Sequence, residues 1–312
     1  MKTMAVRLLG LLLVIVLCGG AALAWAPGTH TFIASQLKPR TPGFVYQQMY
    51  GAVAADVDEF FTSRQDYANY FLATHYQPMA VWSAAQSMPI QDRALAYGWV
   101  SHNEDWGADH NAHIGSFLYG PNKGYVIAKA AVLCGTLRKQ LHAAGMDGFL
   151  PIITDMNCHF IVEYGMDILM TYRDPNLGAK VYMAALNRDP GIGLLLSWAF
   201  PISTAMGTMG QEFAYAEMMP NGWNDVMKQY GMVLSAPVGQ RVPVMAQFLT
   251  ALAVEMGILP EPANDAEAAA MTKLIELALM DSMVICAPDL QIEVNATIKR
   301  VGVAMKVHGV NY

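Results

Sequence analysis

Charge is sparse in this 312-residue chain: Asp, Glu, Lys and Arg together make up only 14% of it. Strand-like alternation is equally scarce, and no Asn-Gly or Asp-Gly pair joins two alternating runs, which argues against an all-β fold. The glycines form no phosphate-cradling loop, and there is no internal repeat or low-complexity tract. Nineteen basic residues against 25 acidic ones leave a net charge of −6. That balance excludes a broad basic surface, so no stable nucleic-acid complex is expected, although a bound metal would supply local positive charge that the count ignores. Cysteine is rare too: Cys18, Cys134, Cys158 and Cys286. Cys18 falls in the N-terminal leader, and the remaining odd, widely spaced set does not read as a disulfide framework.

What the chain does have begins at its N-terminus. Lys2 and Arg7 precede the apolar run Leu8–Cys18, and Ala22-x-Ala24 supplies a small-residue cleavage site. This is the pattern of a secretory signal peptide over residues 1–24, predicting a secreted or periplasmic protein cut after Ala24. Leu17, where a lipoprotein signal wants a small residue, argues against lipidation at Cys18. Cleavage makes Trp25 the new N-terminus, with His30 five residues on, and a free α-amino group titrates near enough to neutrality to ligate a metal.

Apolar spacing of three and four predicts helices over Phe44–Val57, Leu95–Trp106, Tyr125–Ala144, Ile152–Tyr172, Ala179–Asn187, Val244–Ile258 and Ala266–Cys286. The expected fold is therefore an all-α, multi-helix globule. Residues 25–190, which carry seven of the eight histidines, are expected to form a metal-binding catalytic region. Residues 191–312 form an apolar helical region packed on the same domain. Leu194–Met209 is apolar but interrupted by Pro201, and too short to span a bilayer.

Seven of the eight histidines precede residue 160. His159 and Glu163 stand four apart, on one face of a helix, and Asp155 and Asp167 extend that polar stripe through an otherwise apolar segment. Buried charge of this kind needs a partner, and a metal would serve. The densest cluster is Gly98-Trp-Val-Ser-His102-Asn-Glu-Asp105-Trp106-Gly-Ala-Asp109-His110-Asn-Ala-His113. His102, Asp105, Asp109 and His113 share a helical face if the helix runs through; Gly107 is where it could break. A hydrated loop with capping Asp and Asn is the plain alternative. His142, near a helix C-terminus, and His308, with no acidic neighbour, stay outside the set.

These residues, in this order, resemble the zinc-dependent phospholipase C family and the related single-strand nucleases, over residues 25–167. Trp25 and His30 are similar to the family's N-terminal pair, at the short separation of the nuclease branch. Gly51-Ala-Val-Ala-Ala-Asp56 resembles the segment carrying its Asp, and His75-Tyr-Gln-Pro78 the one carrying its second His. His102, His159 and Glu163 resemble the later ligands, with Glu as in the phospholipases. The chain departs from the pattern at Trp106, which stands four residues after His102 where the family has a metal-bridging Asp.

The resemblance implies two to three zinc ions. Asp56, His75 and His102 would hold one, and His113, His159 and Glu163 a second. The amine and carbonyl of Trp25, with His30, would hold a third. Asp105 is expected as the acid nearest His102, Asp109 as a partner of His113, and His110 as a substitute for it. The implied reaction is phosphodiester hydrolysis by a zinc-activated hydroxide, with Asp56 orienting the nucleophile. The implied substrate is a phospholipid or other phosphodiester, reached through peripheral membrane contact. A single-strand nuclease is the nearest alternative, and an exported metal-binding protein without activity, motivated by Trp106, is another.

Overall fold

A computed structural model describes residues 25–38, 42–61, 64–255, 259 and 261–310. The leader, its cleavage site and Cys18 lie outside these residues. Within them the chain folds as an all-α multi-helix globule whose only sheet is a two-stranded hairpin, β1 (Ser203–Thr204) and β2 (Gly207–Thr208). The interrupted segment 194–209 accounts for that hairpin, since Pro201 cannot continue a helix. No helix of the described residues is long and apolar enough to cross a membrane.

The N-terminal half contains α1 (Pro27–Gln36), α2 (Val45–Ala54), α3 (Tyr67–Tyr76), α4 (Pro78–Ala85), α5 (Ile90–His102), α6 (Tyr125–Ala143) and α7 (Asp155–Arg173). The C-terminal half adds α8 (Leu177–Leu186), α9 (Ile192–Ala199), α10 (Met209–Met218), α11 (Trp223–Leu234), α12 (Arg241–Glu255), α13 (Asp265–Cys286) and α14 (Leu290–Val307). Local chemistry sets several boundaries. Thr154 caps α7 by accepting from the Asn157 amide, and Asn264 caps α13 by accepting from Glu267. Thr208 and Gln211 form a reciprocal capping box at α10. Each side chain satisfies amides that a helix start leaves bare.

The expected helix over Leu95–Trp106 is shorter at its C-terminal end: α5 stops at His102. Asn103 turns the chain there, its side-chain oxygen accepting from the amides of Asp105, Trp106 and Gly107. The chain then re-forms as a π-helical turn, His110–Ile114. Val45–Ala54 likewise tightens into a 3₁₀ segment, Ala55–Phe61, instead of running on to Val57.

Two glycines let α2 and α5 touch backbone to backbone. A Cβ on Gly51 would lie 1.9 Å from the Leu95 carbonyl oxygen, and one on Gly98 would lie 1.8 Å from that of Gln48. This crossing brings the chain following α2 against the C-terminal end of α5. Trp25, Tyr50, Trp99, Tyr125 and Phe213 are among the large side chains sealed in the surrounding core. One disulfide does exist, contrary to the reading of the cysteines: Cys134 of α6 and Cys158 of α7 are bonded, leaving Cys286 free and buried. Their spacing of 24 residues is bridged because the helical hairpin returns α7 alongside α6.

Candidate metal centre

Three groups of side chains converge in the N-terminal half: Asp56, His75 and His102; His30, His102 and Asp109; and His113, His159 and Glu163. Within each group the ligating atoms lie within 4.8 Å of one another. All are buried except His113, which is partly exposed. The first two groups share His102. Its Nε2 stands 3.1 Å from Asp56 Oδ1, 2.7 Å from Asp109 Oδ2 and 3.1 Å from His75 Nε2. Asp109 also reaches His30 Nε2 at 3.0 Å and His75 Nε2 at 3.5 Å, so one carboxylate touches three imidazoles. In the third group His159 Nε2 is 3.1 Å from His113 Nε2 and 2.5 Å from Glu163 Oε1.

The structure differs from the expected roles within the central run. Asp105 does not accompany His102; it is exposed, because the turn at Asn103 ends the helical face on which the two would have lain together. Asp109 meets His30, His75 and His102 rather than pairing with His113. His113, not His110, joins His159 and Glu163. The His110 Nδ1 faces the Glu104 carbonyl oxygen at 3.0 Å. Trp106 leaves the centre altogether and stacks on His308 at 4.6 Å between ring centroids. Trp25 is buried, its indole donating to the carbonyl of Ala108, next to Asp109. Asp155 at the start of α7 is exposed.

The imidazoles are oriented from behind. His102 Nδ1 is 2.9 Å from the Ala52 carbonyl oxygen, a contact that requires the proton on Nδ1, so that in the neutral imidazole the lone pair lies on Nε2. His75 Nδ1 faces the Thr74 hydroxyl at 2.7 Å and Asp58 at 3.9 Å. His113 Nδ1 bonds the Glu104 carboxylate. Glu104 went unnoticed in sequence, yet it also donates its amide to the His75 carbonyl at 3.0 Å. Asp167 works at longer range. Its oxygens accept from the Gly28 amide at 2.5 Å, from the Thr29 amide and hydroxyl at 2.6 Å each, and from the Tyr230 hydroxyl at 2.6 Å. It therefore caps α1 from α7 and ties the helix of His30 to that of His159 and Glu163.

Electrostatically the centre holds opposed charges out of water. Burial opposes the charged form of His102, but Asp109 and Asp56 outweigh it and hold the imidazole well above its ordinary value. Burial likewise acts against the Asp109 carboxylate, and His102 and His30 override it, keeping Asp109 far below the usual range. Burial pushes Glu163 well up, His113 only partly offsetting it, and Asp56 and Asp109 add to the push. Burial lifts Asp167 to about 6 despite its four donors.

Donor type and spacing fit a metal. His30 Nε2, both oxygens of Asp56, both of Asp109 and Glu163 Oε2 are buried without an aligned hydrogen-bond partner, which is costly for groups of this kind. Zinc accepts imidazole nitrogen and carboxylate oxygen at about 2.0–2.2 Å, which sets neighbouring ligands on a tetrahedral ion about 3.3 Å apart. The facing Nε2 pairs at 3.1 Å cannot both be hydrogen-bond donors, and they stand close to such an edge. These side chains could hold divalent ions; which metal they take is a matter of chemistry beyond their geometry. Set against known proteins, the chain matches no family model, no curated protein and no solved structure.

Proposed function

We propose that the protein is an exported zinc-dependent phosphodiester hydrolase, more similar to a phospholipase C than to a nuclease. The observation that carries this reading is Asp109, a buried carboxylate touching His30, His75 and His102 at once. An acid so placed can serve two neighbouring cations, which is the role that Trp106 seemed to leave vacant in sequence. Zinc, when bound, supplies Lewis acidity and a water of lowered pKa. His30, His75 and His102 with Asp56 and Asp109 would hold one part of the centre; His113, His159 and Glu163 would hold the other. Asp56, whose buried oxygens have no aligned hydrogen-bond partner, would accept a proton and orient a nucleophile.

Export is supported by the leader pattern and by the Cys134–Cys158 bond, since disulfides persist in oxidising compartments. A lipid substrate is favoured by Glu163 and by Leu194, Trp198, Met206 and Tyr215, which are exposed along α9, the hairpin and α10. Exposed apolar side chains suit an apolar partner. The short separation of Trp25 and His30 favours the nuclease alternative.

Metal analysis of the purified mature protein, with assays on a chromogenic phosphocholine ester and on single-stranded DNA, tests the proposal. About three zinc ions per chain with ester hydrolysis is the expected result. Nucleotide release from DNA would move the choice to the nuclease, and one zinc or none without turnover would overturn the hydrolase reading. His159→Ala should abolish turnover and lower zinc content, whereas His308→Ala should change neither.

A further inference from the structure

Asp92 and Asp189 form a second concentration of buried negative charge, on other residues than the three histidine groups. Asp92 lies in the first turn of α5 and is 2% exposed; Asp189, in the turn between α8 and α9, is 4% exposed. No lysine, arginine or histidine nitrogen among the described residues pairs with either. Arg188, the chain neighbour of Asp189, is directed instead to Glu217 at 3.9 Å. Asp189 Oδ1 accepts the Gly191 amide at 2.7 Å, while Asp92 Oδ1 is buried with no hydrogen-bond partner. An unpartnered buried carboxylate oxygen is costly and needs an explanation.

Gly191 shows where the explanation fits. A Cβ built on it would lie 2.6 Å from Asp92 Oδ1 and 3.0 Å from Asp189 Oδ1. The backbone there, at φ −71° and ψ −10°, is one that any residue adopts, so conformation does not demand glycine. What glycine provides is close approach: a side chain would overlap the carboxylates, so the absence of one lets both oxygens converge beside the Gly191 backbone. The donors there are oxygen only, and calcium prefers oxygen ligands at about 2.3–2.6 Å.

We propose that Asp92 and Asp189, converging beside Gly191, form a calcium site, joining the N-terminus of α5 to the α8–α9 turn. Backbone carbonyls and water would complete the shell. Because α5 carries His102 at its far end, the site would brace the helix that serves the histidine groups without touching them.

Equilibrium dialysis of the purified protein against radioactive calcium tests this, with zinc content and ester turnover measured on the same samples. About one calcium per chain is expected, with a Kd on the order of 10⁻⁴–10⁻³ M. Asp92→Asn, which removes charge, and Gly191→Ala, whose methyl would push the two carboxylates apart, should each weaken binding at least about tenfold with zinc content unchanged. Absence of calcium binding in the unaltered protein, or undiminished binding in either variant, overturns the proposal. A chain without zinc or turnover that still binds calcium in this way would overturn only the hydrolase reading.

Discussion

Replacing Asp109 by Ala removes the one carboxylate in contact with His30, His75 and His102. Turnover should fall by about 100-fold or more, with loss of at least one metal per chain. Asp105→Ala deletes an exposed side chain and should leave both within about twofold; equal losses in the two variants would reverse the roles assigned here. Glu104→Gln keeps the volume but weakens the partner of His113 Nδ1. Losing such a support should cost about 10–100-fold in metal affinity, read by competition with a chromophoric chelator. At this scale most of the histidine set was legible, because residue type and order are written in the chain. Glu104 and the choice between Asp105 and Asp109 were not, because both depend on which way the backbone turns after Asn103.

Elements explain why that turn could not be seen. Apolar periodicity located α2, α6, α7 and α13 to within a few residues, because each buries a stripe whose spacing the sequence displays. The end of α5 leaves no such mark: His102 to His113 continues the spacing, and only the side chain of Asn103, claiming three amides, ends the helix. Gly51 and Gly98 were visible as letters near Asp56 and His102, but their meeting across a helix crossing is a tertiary fact. It makes a test. Gly98→Ala would place a methyl 1.8 Å from the Gln48 carbonyl oxygen, so α2 and α5 must part. Overpacking of this sort should cost about 1–3 kcal/mol, with lowered metal content because Asp56 and His102 separate. Gly135→Ala, inside α6 with nothing within 4 Å of the added carbon, should instead stabilise by about 0.5–1 kcal/mol. Urea denaturation of both variants checks the pair, and a neutral Gly98→Ala would mean that the crossing is softer than its geometry.

The whole molecule sets two proton-linked trends against each other. Glu217 is buried beside Tyr50, and burial lifts its carboxyl from 4.5 to about 7, although Tyr50 and Arg188 pull the other way. The folded state thus holds this proton more tightly than the unfolded chain. Its contribution is fully present below pH 4.5 and is lost as pH rises through about 7, on the order of 3 kcal/mol in all. His102 and His75, raised by their carboxylate neighbours, lose stability in the same direction, and His30, lowered by burial, opposes them. Metal ligation runs the other way, because it needs neutral imidazoles and ionised carboxylates, so acid expels the ion. Calorimetry from pH 5 to 8 should therefore give a Tm that falls with pH in chelator-treated protein and rises with pH in the metal-loaded form. Glu217→Gln, distant in sequence from every proposed ligand, should flatten the first slope and steepen the second, since its falling contribution leaves both. Parallel slopes with and without chelator would show that the buried histidines and carboxylates titrate without a metal to couple them, and the metal centre would go with that result.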